Sequence, residues 1–257
     1  DDTTIEAVII KIATQGVIID GAQITGDAGV SFSALTAKAH QAGLLGLEWC
    51  PSVPASVGGA VRGNAGAFGG ETKDLLVSVR VLRDGEVLEI PRDQIIFDYR
   101  YSMFKHPDNT DIILSATFAL EPGDPEVGRT QVREFIQRKQ QNQPVGVACS
   151  GCIFQNYDEG LITDETLLTQ YPELVEFNAK GVIPSGYLIE HAGLKGTKLG
   201  GAEVSTKHAN YIINPNNDAS FAEVQALIQI IRDRVYSVFG VIIKEEAVYL
   251  DQYLRMR

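Results

Sequence analysis

The sequence predicts an α+β protein of two lobes. Three observations carry that expectation: an opening run of strand-like segments around one short helix, a break at Glu121-Pro-Gly-Asp-Pro125, and a mixture of helix and strand beyond it that closes on apolar strand-like stretches. The chain has 257 residues, 44% hydrophobic and 21% charged, enough to bury one large core or two smaller ones.

In chain order, Glu6 to Ile12 (EAVIIKI) and the alternation from Val17 to Ile24 read as strands separated by a turn at Gln15-Gly16. Ser31 or Ser33 then caps a helix with Phe32, Leu35 and Ala39 on one face and Gly43 at its end. Val77 to Arg83, the turn Asp84-Gly85 and Glu86 to Ile90 form a hairpin, because Asp-Gly suits a type I′ turn. Ile112 to Leu120 is a further strand, and the proline- and glycine-containing break after it marks a lobe boundary. Arg129 to Gln141 is helical in composition, and Pro184 to Glu190 suits a helix with proline in its first turn. Ser220 and Glu223 make a capping box for a helix whose apolar face runs Val224, Leu227, Ile228, Ile231, Val235, Val238 until Gly240. Val241 to Ile243 and Ala247 to Leu250 return to strand. The expected organisation is therefore residues 1–122, 123–235 and a returning C-terminal strand in 236–257.

Charge and cysteine content narrow the function classes. A net charge of -11 argues against non-specific binding to nucleic acid or to an anionic membrane, so any phosphate is held locally. No apolar run approaches the roughly 20 residues of a membrane-spanning helix, and the acidic start lacks the basic region of a signal peptide. The cytoplasm is the expected location. Three cysteines do not make a disulfide scaffold in a chain of this size, which fits a reducing compartment.

Two motifs carry chemistry. The passage Pro54-Ala-Ser-Val-Gly-Gly-Ala-Val-Arg-Gly-Asn-Ala-Gly-Ala-Phe-Gly-Gly-Glu71 lacks the ending of a P-loop and the spacing of a dinucleotide fingerprint. Its small residues let backbone amides approach a ligand, and a cofactor loop and a tightly packed turn are equally open from composition. Cys149-Ser-Gly-Cys152 has the spacing of a thiol pair, but no helix pattern follows it as in a thioredoxin-type motif; Ile153-Phe154 reads as a short strand running into a turn. A zinc site would need two more ligands, and Cys50 and four scattered histidines do not supply them at ligand spacing. Two inert buried thiols remain the plain alternative.

Taken together, the blocks resemble one family. Ser56-Val-Gly-Gly-Ala-Val-Arg-Gly-Asn-Ala-Gly-Ala-Phe-Gly-Gly-Glu71 is similar to the flavin-binding signature of the UDP-N-acetylenolpyruvoylglucosamine reductases (MurB). Tyr99-Arg-Tyr-Ser102, Ser150-Gly-Cys-Ile-Phe-Gln-Asn156, and Ser185 to Gly196 leading into Gly200 to Asn210 follow in the family's order and spacing across essentially the whole chain. The short connection from Arg100 to the strand at Ile112 matches the subtype without an extra substrate-covering loop.

The resemblance implies a two-lobed FAD-binding reductase fold with a flavin lobe and a substrate lobe. It implies that NADPH reduces FAD, and that a hydride then passes to the enolpyruvyl double bond of a UDP-sugar to give the lactyl ether of muramic acid, a step of peptidoglycan synthesis and so of cell-wall biogenesis, cell shape and division. Hydride addition leaves an enolate-like charge that needs a cation and then a proton. By match to the motifs, Arg100 stabilises that charge, Cys152 stands where the family carries its serine proton donor, and Glu246 is the C-terminal glutamate, with Glu245 as its rival. A thiol, with an ordinary pKa of about 8.5, is a stronger acid than a serine hydroxyl. Ser56, Val57, Gly58, Gly59, Asn64, Ala65 and Gly66 fall on the flavin signature, and Tyr99, Asn156, Lys195 and Lys207 on substrate positions, with Lys198 a further candidate for the pyrophosphate. No metal is implied. Ala55, Phe68, Asn142 and Val248 depart from the family's usual glycine, tyrosine, lysine and arginine. The family normally begins with a small N-terminal lobe carrying a G-S-N-L-L turn, and the resemblance starts just after that point, so that part of the flavin lobe is absent from this sequence. The implied partner is a small UDP-sugar, without nucleic acid or membrane, and a monomer is compatible with the sequence. Two other readings compete: a non-catalytic relative that binds a nucleotide-sugar, and a thiol-disulfide protein whose Cys149 and Cys152 pair on oxidation.

Overall fold

The structure is a computed structural model that describes residues 8–249. Within that range the chain forms two compact units, 8–141 and 142–249.

The first unit contains β1 (Val17–Asp20), β2 (Gln23–Asp27), α1 (Phe32–Gln41), β3 (Leu44–Leu45), α2 (Val57–Gly63), β4 (Gly66–Ala67), β5 (Gly70–Glu71), α3 (Thr72–Leu75), β6 (Leu76–Arg83), β7 (Glu86–Pro91), β8 (Phe97–Asp98), β9 (Tyr101–Ser102), β10 (Ile112–Ala119), β11 (Glu121–Pro122) and α4 (Pro125–Asn142). Its main sheet is antiparallel, in the order β1-β2-β10-β6-β7. The hairpin at Asp84-Gly85 forms as expected, both residues having positive φ (51° and 84°). Ser31 caps α1 by accepting the amide of Ala34, and Phe32, Leu35 and Ala39 are buried beneath it. Phe32 meets Trp49 and Phe118 edge-on at centroid distances of 5.7 and 6.3 Å. Phe118→Ala at this junction would cost about 3–5 kcal/mol.

Three expectations are corrected here. The first hairpin turns at Gly21-Ala22, where Asp20 pairs with Gln23, because Gly21 takes the left-handed conformation (φ 56°) that a two-residue turn requires. Gly16 instead is pinned by Asp27, through its amide to Oδ2 at 2.8 Å and its carbonyl to the Asp27 amide at 2.9 Å. Residues 8–12 form no strand, and Glu6 and Ala7 lie outside the described residues. Finally, the units divide after α4 and not at the proline-rich break. Glu121 and Pro122 pair with Leu45 and Leu44, Phe135 stacks on Phe68 at 4.5 Å, and the Lys139 ammonium donates to the Ser52 carbonyl at 2.5 Å, all of which keep α4 with the first unit.

The second unit holds β12 (Ala148–Cys152), α5 (Glu165–Gln170), α6 (Glu173–Lys180), α7 (Ser185–His191), β13 (Lys198–Leu199), β14 (Ala202–Val204), β15 (Tyr211–Asn214) and α8 (Phe221–Phe239). Its antiparallel sheet runs β12-β15-β14-β13. The capping box of α8 forms with both reciprocal bonds, Leu227, Ile228, Ile231 and Val235 are buried, and Gly240 ends the helix at φ 69°. The expected strand at Ile153-Phe154 sits earlier, at β12, since the amides of Ile153 and Phe154 are claimed by the carbonyl and side chain of Asn210. Among the described residues the C-terminal strand reduces to one bridge, Glu245 with Phe154. Val241 and Ile243 are buried with Ile242 exposed between them, so the strand-like alternation is real even though ladder pairing is not. Leu250 lies outside the described residues.

Candidate active site

In the first unit the glycine-rich passage folds into α2. Ser56 is its N-cap, with Oγ accepting the Gly59 amide at 3.3 Å. The Val57 and Gly58 amides donate to the carbonyls of Val30 (2.8 Å) and Ala28 (3.0 Å), so they are consumed by the scaffold and do not form an anion nest. Gly58 is required by that contact, since a Cβ there would stand 2.9 Å from the Ala28 Cβ. Gly59 differs: it is exposed, and a Cβ on it would meet only Ser56 Oγ, at 3.4 Å.

Asn64 ends α2 in the left-handed conformation (φ 42°) and is fully buried. Its Nδ2 donates to Glu71 Oε2 (3.1 Å) and to the Asp98 carbonyl (3.0 Å), and its Oδ1 accepts the Lys73 amide at 3.1 Å. Ala65 donates its amide to Ala60 and accepts both the amide and the hydroxyl of Thr72, each at 2.9 Å. Gly66 pairs with Glu71 across β4 and β5, and its carbonyl accepts Arg100 Nη2 at 3.0 Å. Arg100 itself has φ 54°, an uncommon backbone for a non-glycine residue, and its guanidinium lies 5.1 Å from the centroid of the Tyr99 ring. Lys105 donates to the Arg100 carbonyl at 2.6 Å, and the buried Ser102 hydroxyl donates to the Arg62 carbonyl at 2.7 Å. The flavin-signature block and the Tyr99-Arg100 block are thus one fastened object, in which a strained turn aims Arg100.

In the second unit Cys152 is half-buried on β12 and pairs with Tyr211 of β15. Cys149 pairs with Ile213, so three steps along β12 match two along β15, a bulge at which Gly151 takes φ 91°. The extra residue puts both cysteines on the face shared by Tyr211 and Ile213. Neither is joined in a disulfide. The Tyr211 hydroxyl is hydrogen-bonded to Cys152; burial first, then Cys152, with Cys149 and Glu246 adding, pushes its ionisation up. Glu246 reaches this cluster because its amide donates to the Ile153 carbonyl at 2.8 Å. Its rival Glu245 is occupied elsewhere: one carboxylate oxygen pairs with Arg232 at 2.9 Å and the other accepts the Tyr249 hydroxyl. The third cysteine, Cys50, is fully buried, and burial with the charge of Glu48 pushes its thiol up, which leaves it inert.

Asn156 accepts the Ser185 amide on Oδ1 at 3.3 Å, and the buried Ser185 hydroxyl donates to the Gln155 carbonyl. Lys195 is paired with Glu190 at 2.7 Å and Lys198 with Glu203 at 3.2 Å, while Lys207 is exposed beside Ser205, whose Oγ accepts its amide at 3.1 Å. His208 stands 5.0 Å from the Tyr211 ring; burial and then the Lys195 charge hold its pKa below the ordinary histidine value. Sequence reasoning missed Tyr211 and Asn210. The Asn210 side chain clamps Phe154 through both its amide (2.9 Å) and its carbonyl (2.7 Å). Their only signal was position, at the end of the Gly200 to Asn210 block. Among the described residues no helix is long and apolar enough to cross a membrane, and no cluster of His, Cys, Asp and Glu could hold a metal ion.

Comparison with known proteins places the chain among its relatives. The family described as UDP-N-acetylenolpyruvoylglucosamine reductase, C-terminal domain, matches residues 143–250, and the one described as FAD binding domain matches residues 1–91. The UDP-N-acetylenolpyruvoylglucosamine reductase of Carboxydothermus hydrogenoformans is 39% identical over 225 residues, covering 87% of this chain and 66% of that protein. The protein of the same description from Limosilactobacillus reuteri is 34% identical over 225 residues, covering 87% of this chain and 67% of its own length. The crystal structure of UDP-N-acetylenolpyruvylglucosamine reductase (MurB) from Thermus caldophilus is similar at a TM-score of 0.67 and 29% identity, covering 86% of this chain and 71% of that one. The chain therefore spans about two thirds of the length of the curated relatives it matches.

Proposed function

The chain belongs to the UDP-N-acetylenolpyruvoylglucosamine reductase family, and from that premise we propose that it takes part in the NADPH-dependent, FAD-mediated reduction of UDP-N-acetylglucosamine enolpyruvate to UDP-N-acetylmuramate. In this reading the first unit is the flavin-binding lobe, the second the substrate lobe, and the working location the cytoplasm. The observation that carries it is the cluster of the second unit, where Cys152 and Glu246 both bear on Tyr211 while Glu245 is drawn off to Arg232 and Tyr249.

The residues fit FAD in part. At Gly59 an exposed stretch of backbone offers a bare face that a side chain would fill, which suits a planar ring laid against Ser56 to Gly59 and Ala65-Gly66. The Val57 and Gly58 amides are spent on Val30 and Ala28, so the pyrophosphate is not held by them. The chemistry a bound FAD supplies is transfer of a hydride from NADPH to the enolpyruvyl carbon distal to the carboxylate. Arg100, fixed by Gly66 and Tyr99, presents its guanidinium to the carboxylate on which negative charge collects. Cys152 holds the proton at Sγ and gives it to the carbon next to the carboxylate, breaking the S–H bond as the C–H bond forms. Glu246 is the nearby carboxylate through which charge at that acid is tuned, and Asn156 orients the substrate. Lys207 and Lys195 bear on its pyrophosphate, Lys195 after release from Glu190.

The test is a visible spectrum of the purified chain with added FAD, then NADPH, then the enolpyruvyl UDP-sugar. Bound flavin that bleaches with NADPH and recovers with substrate is the expected result. Flavin that stays bleached when the sugar is added would sink the reductase reading for this chain.

A further inference from the structure

We propose that Tyr211 is a positioning residue for Cys152, its phenol holding the sulfur by a hydrogen bond so that the thiolate left after proton transfer is stabilised where it forms. This deepens, and rests on, the reading of Cys152 as proton donor.

Three independent features fix the arrangement. The ladder register sets Tyr211 directly opposite Cys152, and the bulge at Gly151 brings Cys149 to the same face opposite Ile213. Tyr211 is only 8% exposed, and its hydroxyl is hydrogen-bonded to Cys152. The residue is also held at its other end: its amide donates to the His208 carbonyl at 3.0 Å, and its ring meets the His208 ring edge-on at 5.0 Å. A ring pinned in this way keeps its oxygen on the sulfur.

The chemistry follows from what can ionise. Burial and the acidic neighbours Cys152, Cys149 and Glu246 all disfavour a phenolate at Tyr211, so the hydroxyl keeps its proton and remains a donor. A donor beside sulfur favours thiolate over thiol. When the Sγ–H bond breaks and the proton passes to substrate carbon, the electron pair left on sulfur is met by that donor, and solvent later returns a proton to the thiolate. The groups that bear on the Tyr211 phenol are Cys152 and Cys149 from β12 and Glu246 from the C-terminal segment, with His208 against its ring.

Tyr211→Phe removes one oxygen and keeps the ring. In the full chain carrying Cys149→Ser, the rate of Cys152 alkylation by iodoacetamide is followed against pH, with Cys50 silent in the core. Tyr211→Phe is expected to raise the midpoint by roughly one pH unit, the size of one hydrogen bond to a charged group. An unchanged midpoint would overturn the proposal. In wild type, tyrosine labelled at Cζ gives a second readout: the Tyr211 resonance should titrate with the Cys152 midpoint and lose that inflection in Cys152→Ser. Absence of the inflection overturns the proposal even if Tyr211→Phe does not fold. Neither readout needs flavin, so a shifted midpoint in a chain without reductase activity would keep the Tyr211 contact and reject the reductase reading alone.

Discussion

Asn64 in the first unit and Cys152 in the second both sit in motif blocks, yet they are held in opposite ways. Every polar atom of the Asn64 side chain is committed to Glu71, Asp98 or Lys73, and the backbone around it is fastened to Thr72, Ser102 and Arg100. Cys152 is hydrogen-bonded to Tyr211, and Glu246 bears on the same phenol. The first region is rigid so that Arg100 points one way. The second is a small acid-base device on a bulged strand. A motif residue in this protein therefore works either as a fastener or as a reagent, and substitution separates the two: fasteners show in stability, reagents in turnover.

The largest effect expected is at the reagent. Cys152→Ala should lower turnover by roughly 10²–10⁴-fold with the unfolding midpoint nearly unchanged. Flavin reduction by NADPH, followed in stopped flow, should persist while reoxidation by substrate stalls; loss of both half-reactions in a folded variant would contradict the role. Cys152→Ser should retain activity, because a hydroxyl can carry the same proton. Next comes the fastener. Asn64→Ala removes three hydrogen bonds and leaves a Cβ residue at φ 42°, a cost of about 3 kcal/mol in urea unfolding. Asn64→Gly relieves the backbone and should recover about 1 kcal/mol of it. Equal loss in the two variants would mean that the conformation carries none of the cost.

Smaller effects test the edges of each unit. The Asp111 carboxylate accepts Arg83 Nε and Nη2, each at 2.7 Å, and that pairing, aided by Asn109, holds its pKa below the usual carboxylate range. Asp111→Asn should cost about 1 kcal/mol, since Arg83 is partly exposed to solvent. The stability from this group is present above the ordinary pKa of about 3.9 and is lost as pH falls through the lower folded value, so the variant should show a shallower acid limb. The smallest effect belongs to His208, whose pKa burial lowers. Its contribution is full above about 6.5 and declines as pH drops through the folded value beneath. His208→Gln should flatten that part of the stability profile, and an unaltered slope would remove His208 from the account.

Sequence signals were legible where they are local. Ser31, Asp84-Gly85, the Ser220–Glu223 box and Gly240 each act within a few residues, and each does what its chemistry predicts. The helix α2 was hidden because glycine and alanine have no apolar period, and its start is fixed from outside by Ala28 and Val30. The apolar run at Val8 to Ile10 looked like a strand, but side chains alone do not pair a backbone, and those residues are exposed. Glu246 was picked by register and Tyr211 was missed for one reason: a cross-strand neighbour separated by several elements leaves no mark in spacing, and the bulge at Gly151 hides the parity on which such a guess depends.

The pairing of β12 with β15 also has a meaning in time. During synthesis Cys149 and Cys152 are made well before Tyr211, with three helices and two strands still to be folded between them. Contacts that close long loops form late, so in the nascent chain Cys152 is as open to solvent as Cys149, which stays exposed in the finished sheet. The vulnerability of Cys152 to oxidants is greatest in that interval, and completing β15 both builds the acid and half-buries it.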